Sequence, residues 1–159
     1  MKYFLKMLKM KNKGVIAKIL LIPMFTFFMC AVLSGENSEV VFDTNFFKDF
    51  NSRQIIQRDE YFDSLTDKIV SGRGKITAIS VSERYKKKYR IIIESSDSTV
   101  YNQKIIFFVF LENKDKINQL SLNSNFEFKG QLMGYTPLGT KRNEYILDIV
   151  FMDGSTIIE

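Results

Sequence analysis

From Ser71–Gly72 onward the apolar residues of this chain stop repeating at helical spacing and begin to alternate, and five strand-length segments follow. That pattern constrains the fold more than any other feature. Short alternating strands can hide their apolar sides only in a sheet that packs against something or closes on itself. The first segment, Gly74–Ser82 (GKITAISVS), shifts its apolar phase between Ala78 and Ile79, which predicts a bulge or strong bend. The second is Tyr89–Glu94 (YRIIIE), and the third is Lys104–Leu111 (KIIFFVFL), an unbroken apolar run expected to be buried on both faces. A short helical or turn segment, Asn113–Leu122, comes next. In the fourth strand, Asn125–Met133, Phe126, Phe128 and Leu132 face one way, and Glu127, Lys129 and Gln131 face the other. The fifth is Tyr145–Met152, after which Asp153–Gly154 turns the chain into a final stretch, Ser155–Ile158. Asp148 reads as an outward-facing polar position in that fifth strand.

Before the strands lies an amphipathic helical region. Asp43 or Thr44 can cap it, and Phe46, Phe47, Phe50, Ile55, Phe62, Leu65 and Ile69 recur at helical spacing. A break is expected near Asn51–Ser52, with Ser52 capping a second helix. Asp59, Glu60 and Asp63 read as a solvated helix face rather than a carboxylate site.

The first thirty residues carry six lysines and no acid, and an apolar run from Ile19 to Met29 ends at Cys30, the chain's single cysteine. A basic segment, a short apolar core and a processing point is the form of an export signal. The run from Ile19 to Leu33 contains Pro23 and is short for a span of about 20 residues. Met10 offers an alternative start. Three readings stay open: cleavage before Cys30 with a lipid on that cysteine, secretory cleavage near Ser34 or Gly35, and an uncleaved anchor. The leader resembles a bacterial lipoprotein signal, with Met29 standing where a lipobox carries a small residue. Two acyl chains on Cys30 would hold the protein firmly on a membrane.

Charge follows the same division. After Cys30 there are 17 basic and 18 acidic residues, so the overall charge of +5 belongs to the leader and the remainder is −1. A near-neutral domain has no global footprint for a polyanion, so any basic site must be local. There is no histidine, and the one cysteine lies in the leader. Triads that use histidine, imidazole–zinc sites, thiolate clusters and internal disulfides are therefore excluded. No phosphate-cradling glycine loop is present, and no nucleophile stands with its base. The expectation is a non-enzyme without metal or cofactor.

Three strands, a short helix and two strands is the order of an OB-fold, a small Greek-key barrel. The chain resembles the tRNA-anti-like OB families of small exported bacterial proteins. Their helix leads into a "G-x-hydrophobic-x-x-I" strand, here Gly74-Lys75-Ile76-Thr77-Ala78-Ile79. Their "hydrophobic-x-hydrophobic-x-G" strand is here Phe126-Glu127-Phe128-Lys129-Gly130, preceded by Leu120. The loop before it, which usually holds a glycine, is Asn123-Ser124-Asn125. The expected architecture is mainly β within an α+β chain: signal or anchor at 1–30, polar tether at 31–43, helical region at 44–70 and a five-stranded OB-fold-like Greek-key barrel at 71–159.

In such a barrel the ligand lies on a face framed by the loops between strands one and two and between strands four and five. Here the first loop carries Arg84, Tyr85, Lys86, Lys87 and Lys88, with Arg90 just beyond, and the second (136–143) carries Lys141 and Arg142. If the two loops come together, the cations of 83–90 and 136–143 form one patch for an anionic ligand, and Tyr85, Tyr89 and Tyr135 can add stacking surfaces. The function expected is a membrane-tethered binding or scaffolding module of the bacterial envelope. Its partners would be the membrane and an envelope protein or anionic ligand. A nucleic-acid-binding module is the alternative, against which the compartment argues. A structural or assembly accessory with no small ligand is a further one.

Overall fold

A computed structural model describes residues 39–152. The leader, Cys30, most of the expected tether and the stretch from Asp153 onward lie outside the described residues. Among the described residues no helix is long and apolar enough to cross a membrane.

The described chain is mainly β. It runs β1 (Val40–Phe42), α1 (Thr44–Ser52), α2 (Ile55–Leu65), β2 (Ile69–Val81), β3 (Tyr89–Glu94), α3 (Ser96–Thr99), β4 (Lys104–Leu111), α4 (Lys114–Asn118), β5 (Asn125–Leu138) and β6 (Glu144–Phe151). The six strands lie in the order β1-β2-β3-β4-β6-β5, and β5 pairs back onto β2. Five of them, β2-β3-β4-β6-β5, thus form a barrel-like ring.

β2 closes the ring because it is long enough to serve two neighbours. Ile69–Lys75 pairs with Gln131–Asn125 of β5, and Lys75–Val81 pairs with Glu94–Tyr89 of β3. It begins at Ile69 rather than at Gly74, and its bulge falls between Ile76 and Ala78, one step before the expected phase shift. β5 likewise runs on to Leu138. A second register shift between Leu132 and Gly134 lets it follow β6.

The interior is filled by Val70, Ile76, Ile91, Ile93, Ile105, Phe107, Val109, Phe126, Phe128, Leu132, Tyr145, Leu147 and Ile149. α1 and α2 add Phe46, Phe47, Phe50, Phe62 and Leu65 to the same core, with Phe50 and Phe62 against the Tyr145 ring at 5.6 and 5.0 Å. Asp43 caps α1, its carboxylate accepting from the Phe46 N–H at 2.8 Å. Ser52 does not start α2. It is the last residue of α1, and its hydroxyl donates back to the Asp49 carbonyl. α2 starts after Gln54, whose N–H donates to Gln57 Oε1.

Three further expectations change. The tether does not extend to residue 43. Val40–Phe42 is a strand paired in parallel with Val70–Gly72, because Phe42 is buried and packs 5.6 Å from Phe107. β4 is not buried on both faces: Ile105, Phe107 and Val109 point inward, whereas Lys104 is exposed and Ile106 and Phe108 are half-buried on the outside. The helical turn α3 was not expected; Ser95 nucleates it by accepting from the Ser98 N–H.

Asn123 takes the place of the usual glycine. Its φ of +67° is left-handed, a conformation asparagine tolerates, and its N–H donates to the Ile76 carbonyl at 2.8 Å. Gly74 and Gly130, the glycines of the two strand motifs, are required by close approach. A Cβ at Gly74 would collide with the Glu94 carbonyl, and one at Gly130 with the Val150 carbonyl. Gly74→Ala and Gly130→Ala are therefore each expected to cost about 1–3 kcal/mol through overpacking against backbone. Urea denaturation measures this, and an unchanged midpoint for both would contradict the packing.

Candidate functional site

The outer face of the ring holds a platform that register alone defines. One row across β2, β3, β4, β6 and β5 reads Ala78, Ile92, Phe108, Asp148 and Gly134. The next toward the carboxyl ends of β4 and β6 reads Ser80, Arg90, Phe110, Val150 and Gln131. The row on the other side reads Lys75, Glu94, Ile106, Ile146 and Thr136. Ile92, Ile106, Phe108, Ile146 and Val150 are half-buried there, although no element covers all of them. The outward residues early in β5 differ: Glu127, Lys129 and Gln131 are polar, as water contact requires.

Asp148 departs from its expected role. It faces outward but is only 6% exposed, because the loop after β2 folds over it. The Tyr85 phenol donates to its Oδ2 at 2.8 Å, and the Arg84 guanidinium lies 2.9 Å from the same oxygen. The Tyr85 ring sits edge-on to Phe110 at 5.0 Å. Burial, and then the bond to the Asp148 carboxylate, pushes the Tyr85 phenol up from its ordinary value. Arg90 lies along the platform with its guanidinium 4.6 Å from the Phe108 ring, and its Nε donates to Ser80 Oγ at 3.2 Å.

The two basic loops do not merge into one patch. Tyr89 stands opposite Leu111 at the carboxyl end of β4, so Arg84, Tyr85, Lys86, Lys87 and Lys88 lie at that end. Lys104 stands opposite Glu144, so Lys141 and Arg142 lie at the other. The distance between these ends along β6 is about 23 Å at strand rise. They separate because β4 and β6 run parallel, which puts the start of β6 beside the start of β4. Lys86 and Lys88 are exposed and Lys87 is half-buried. Arg142 is committed elsewhere: its Nε lies 3.6 Å from Asp59, and its carbonyl accepts from Arg58.

Of the three tyrosines expected to stack, only Tyr85 lies on this face. Tyr89 and Tyr135 pack against the core, and Tyr135 lies 5.4 Å from Phe62. Asp59 accepts from the buried Tyr145 phenol at 3.1 Å, which ties α2 to β6. Among the described residues no group of acids, histidines or cysteines is arranged to hold a metal ion. Phe108, Phe110 and Asp148 are the residues that sequence reasoning passed over. The signal was a lone carboxylate inside an apolar strand.

No family model and no curated protein matches this chain. Among solved structures it is similar to a "putative nucleic acid-binding lipoprotein" from Klebsiella pneumoniae subsp. pneumoniae, with 17% identity, 77% of this chain and 93% of the other covered, and a TM-score of 0.45. It is also similar to asparaginyl-tRNA synthetase of Entamoeba histolytica, at 19% identity over 55% of this chain and 20% of the other, TM-score 0.33. A "putative aspartyl-tRNA synthetase" from Leishmania major matches at 14% identity over 74% of this chain and 21% of the other, TM-score 0.38. Likenesses this distant carry no function across.

The tyrosines give a measurable consequence. Burial, reinforced by Asp63 and Asp59, pushes the Tyr135 phenol up to about 12, and burial followed by the Asp59 charge raises Tyr145 as well. A raised phenol pKa contributes stability that is complete below the unfolded value of about 10 and is lost as pH climbs through the folded value. Stability should therefore be flat in this respect up to pH about 10 and fall between about 10 and 12. Phenolate absorbance should show these two residues ionising at higher pH than an exposed tyrosine does. A single reversible titration of every tyrosine near pH 10 would contradict the burial.

Proposed function

We propose that this chain is an exported, membrane-tethered OB-fold module that binds an extended anionic polymer on the outer face of β3, β4 and β6 and performs no chemistry on it. The ring order, with α4 between β4 and β5, supports the OB-fold reading. The basic, then apolar, leader ending at Cys30 supports export and tethering to the bacterial envelope.

One observation carries the binding reading. A half-buried apolar platform has a basic loop at each end, on a domain that is otherwise close to neutral. A polymer lying along β4 and β6 would meet Lys86, Lys87 and Lys88 at one end and Lys104 and Lys141 at the other. Two acids near the amino-terminal ends of β4 and β6, Glu94 and Glu144, stand opposite Lys75 and Lys104 in register, so the platform is not closed to anions. Phe108 and the Tyr85 ring favour a polymer with stacking groups, and a single-stranded nucleic acid is the second reading on that ground.

Titration of the full chain with oligothymidylate and with inorganic polyphosphate tests both readings. Binding should weaken as salt rises, because phosphate contacts release counterions. Changing Lys86, Lys87 and Lys88 together to Ala should lower affinity for both polymers and flatten the salt slope by up to about three contacts. Phe108→Ala should lower affinity for oligothymidylate alone, by about 1–3 kcal/mol. Failure of both polymers to bind, or a triple variant that binds like wild type, would contradict the platform.

A further inference from the structure

The loop that joins β2 to β3 is not a hairpin tip standing away from the ring. It lies back across the outer face, and it does so at a conformational cost. Tyr85 and Lys86 are consecutive residues with φ of +55° and +58°, a left-handed pair in which neither residue is Gly, Asn or Asp. Such a pair persists only where surrounding contacts fix it. Three side-chain contacts tie the loop to the strands: Tyr85 phenol to Asp148, Arg84 guanidinium to Asp148, and Tyr85 ring to Phe110.

Their effect on the platform is uneven. Phe110 is fully buried although it belongs to the outer face, while Phe108, one row away on the same strand, remains half-exposed. The closed loop therefore hides Phe110 and the carboxylate in the middle of the platform. Arg84 is meanwhile 61% exposed in its side chain, so its remaining donors face water, where an anion can reach them.

We propose that residues 83–88 form a lid held shut over the carboxyl-terminal half of the platform, with Asp148 as its latch, and that an anionic polymer binds fully only to the open form. This rests on the platform reading above. A phosphate group competes with the Asp148 carboxylate for Arg84. Once Arg84 leaves, Tyr85 swings off Phe110, water reaches Asp148, and Phe110 joins Phe108 as a second stacking surface. Asp148 is thus a negative element in a site for anions. It keeps Arg84 occupied until a ligand outcompetes it.

Two variants of the full chain, purified in detergent, test this. Asp148→Asn keeps the shape and removes the charge that holds Arg84. Tyr85→Phe keeps the ring and every charge and removes one hydrogen bond. Amide exchange should quicken about tenfold in Asp148→Asn and about threefold in Tyr85→Phe. The amides to follow are Lys87, bonded to the Arg84 carbonyl at 3.0 Å, and Ser82, bonded to the Lys88 carbonyl at 2.7 Å. Exchange at Ile91, Val109 and Leu147 should not move. Oligothymidylate should bind tighter by similar factors, and the gain in Tyr85→Phe is the deciding one, because Asp148→Asn also removes a charge that repels the polymer, whereas a merely structural Tyr85 contact would weaken binding or leave it alone.

Unchanged exchange at Lys87, or variants that bind no tighter than wild type, would overturn the lid. If Asp148→Asn does not fold, Tyr85→Phe decides alone. Wild type and variants all ignoring both oligothymidylate and polyphosphate would instead sink the platform and the lid with it. Intact wild-type binding without a variant effect removes the lid only.

Discussion

Everything on the outer face depends on β2 pairing along both of its edges. One strand of ordinary length would leave β3 and β5 unjoined and the sheet open. Because β2 bends at Thr77 and continues, its first half completes β5 and its second half completes β3. Backbone must come close where the neighbours meet, and so Gly74 lies against the Glu94 carbonyl. Closure fixes which side of each strand is inside. Once Ile91, Ile93, Phe107 and Val109 are committed to the interior, Arg90, Ile92, Phe108 and Phe110 have only the outer face left.

Charge on that face is handled by pairing. A carboxylate as buried as Asp148 would be costly alone, and breaking a buried pair leaves that cost exposed. Arg84 and Tyr85 both answer to it, so the most basic loop of the domain is tied to the ring at these two residues and turned outward at Lys86 and Lys88. At the far end Arg142 is drawn to Asp59 and α2. The cations that sequence proximity would group together are thus divided between structural pairs and the two margins of the platform.

The strands and their inner residues were legible in the sequence because alternation reports one buried side directly. Phe126, Phe128 and Leu132 are all inside, and the bounds of β3 and β4 agree with the apolar runs. β1 was not legible, since three apolar residues after a polar stretch have no period to read. The early start of β2 was hidden because Ile69 and Val70 also fit the helical spacing of α2. The gathering of the two loops into one patch failed for a topological reason: chain spacing says nothing about which ends of parallel strands coincide. Asp148 failed for an energetic one. A polar residue in an apolar strand is usually an exposed position, and only the folded loop shows that this one is covered.

The proposed ligand site is the outer face of β3, β4 and β6. Nuclear magnetic resonance of the full chain in detergent, with methyl and aromatic side chains observed as oligothymidylate is added, tests that location directly. Shifts concentrated at Ile92, Ile106, Phe108 and Ile146 are the predicted result. Shifts confined to the β1 edge, to α1 and α2, or to lysines scattered over the surface would contradict it.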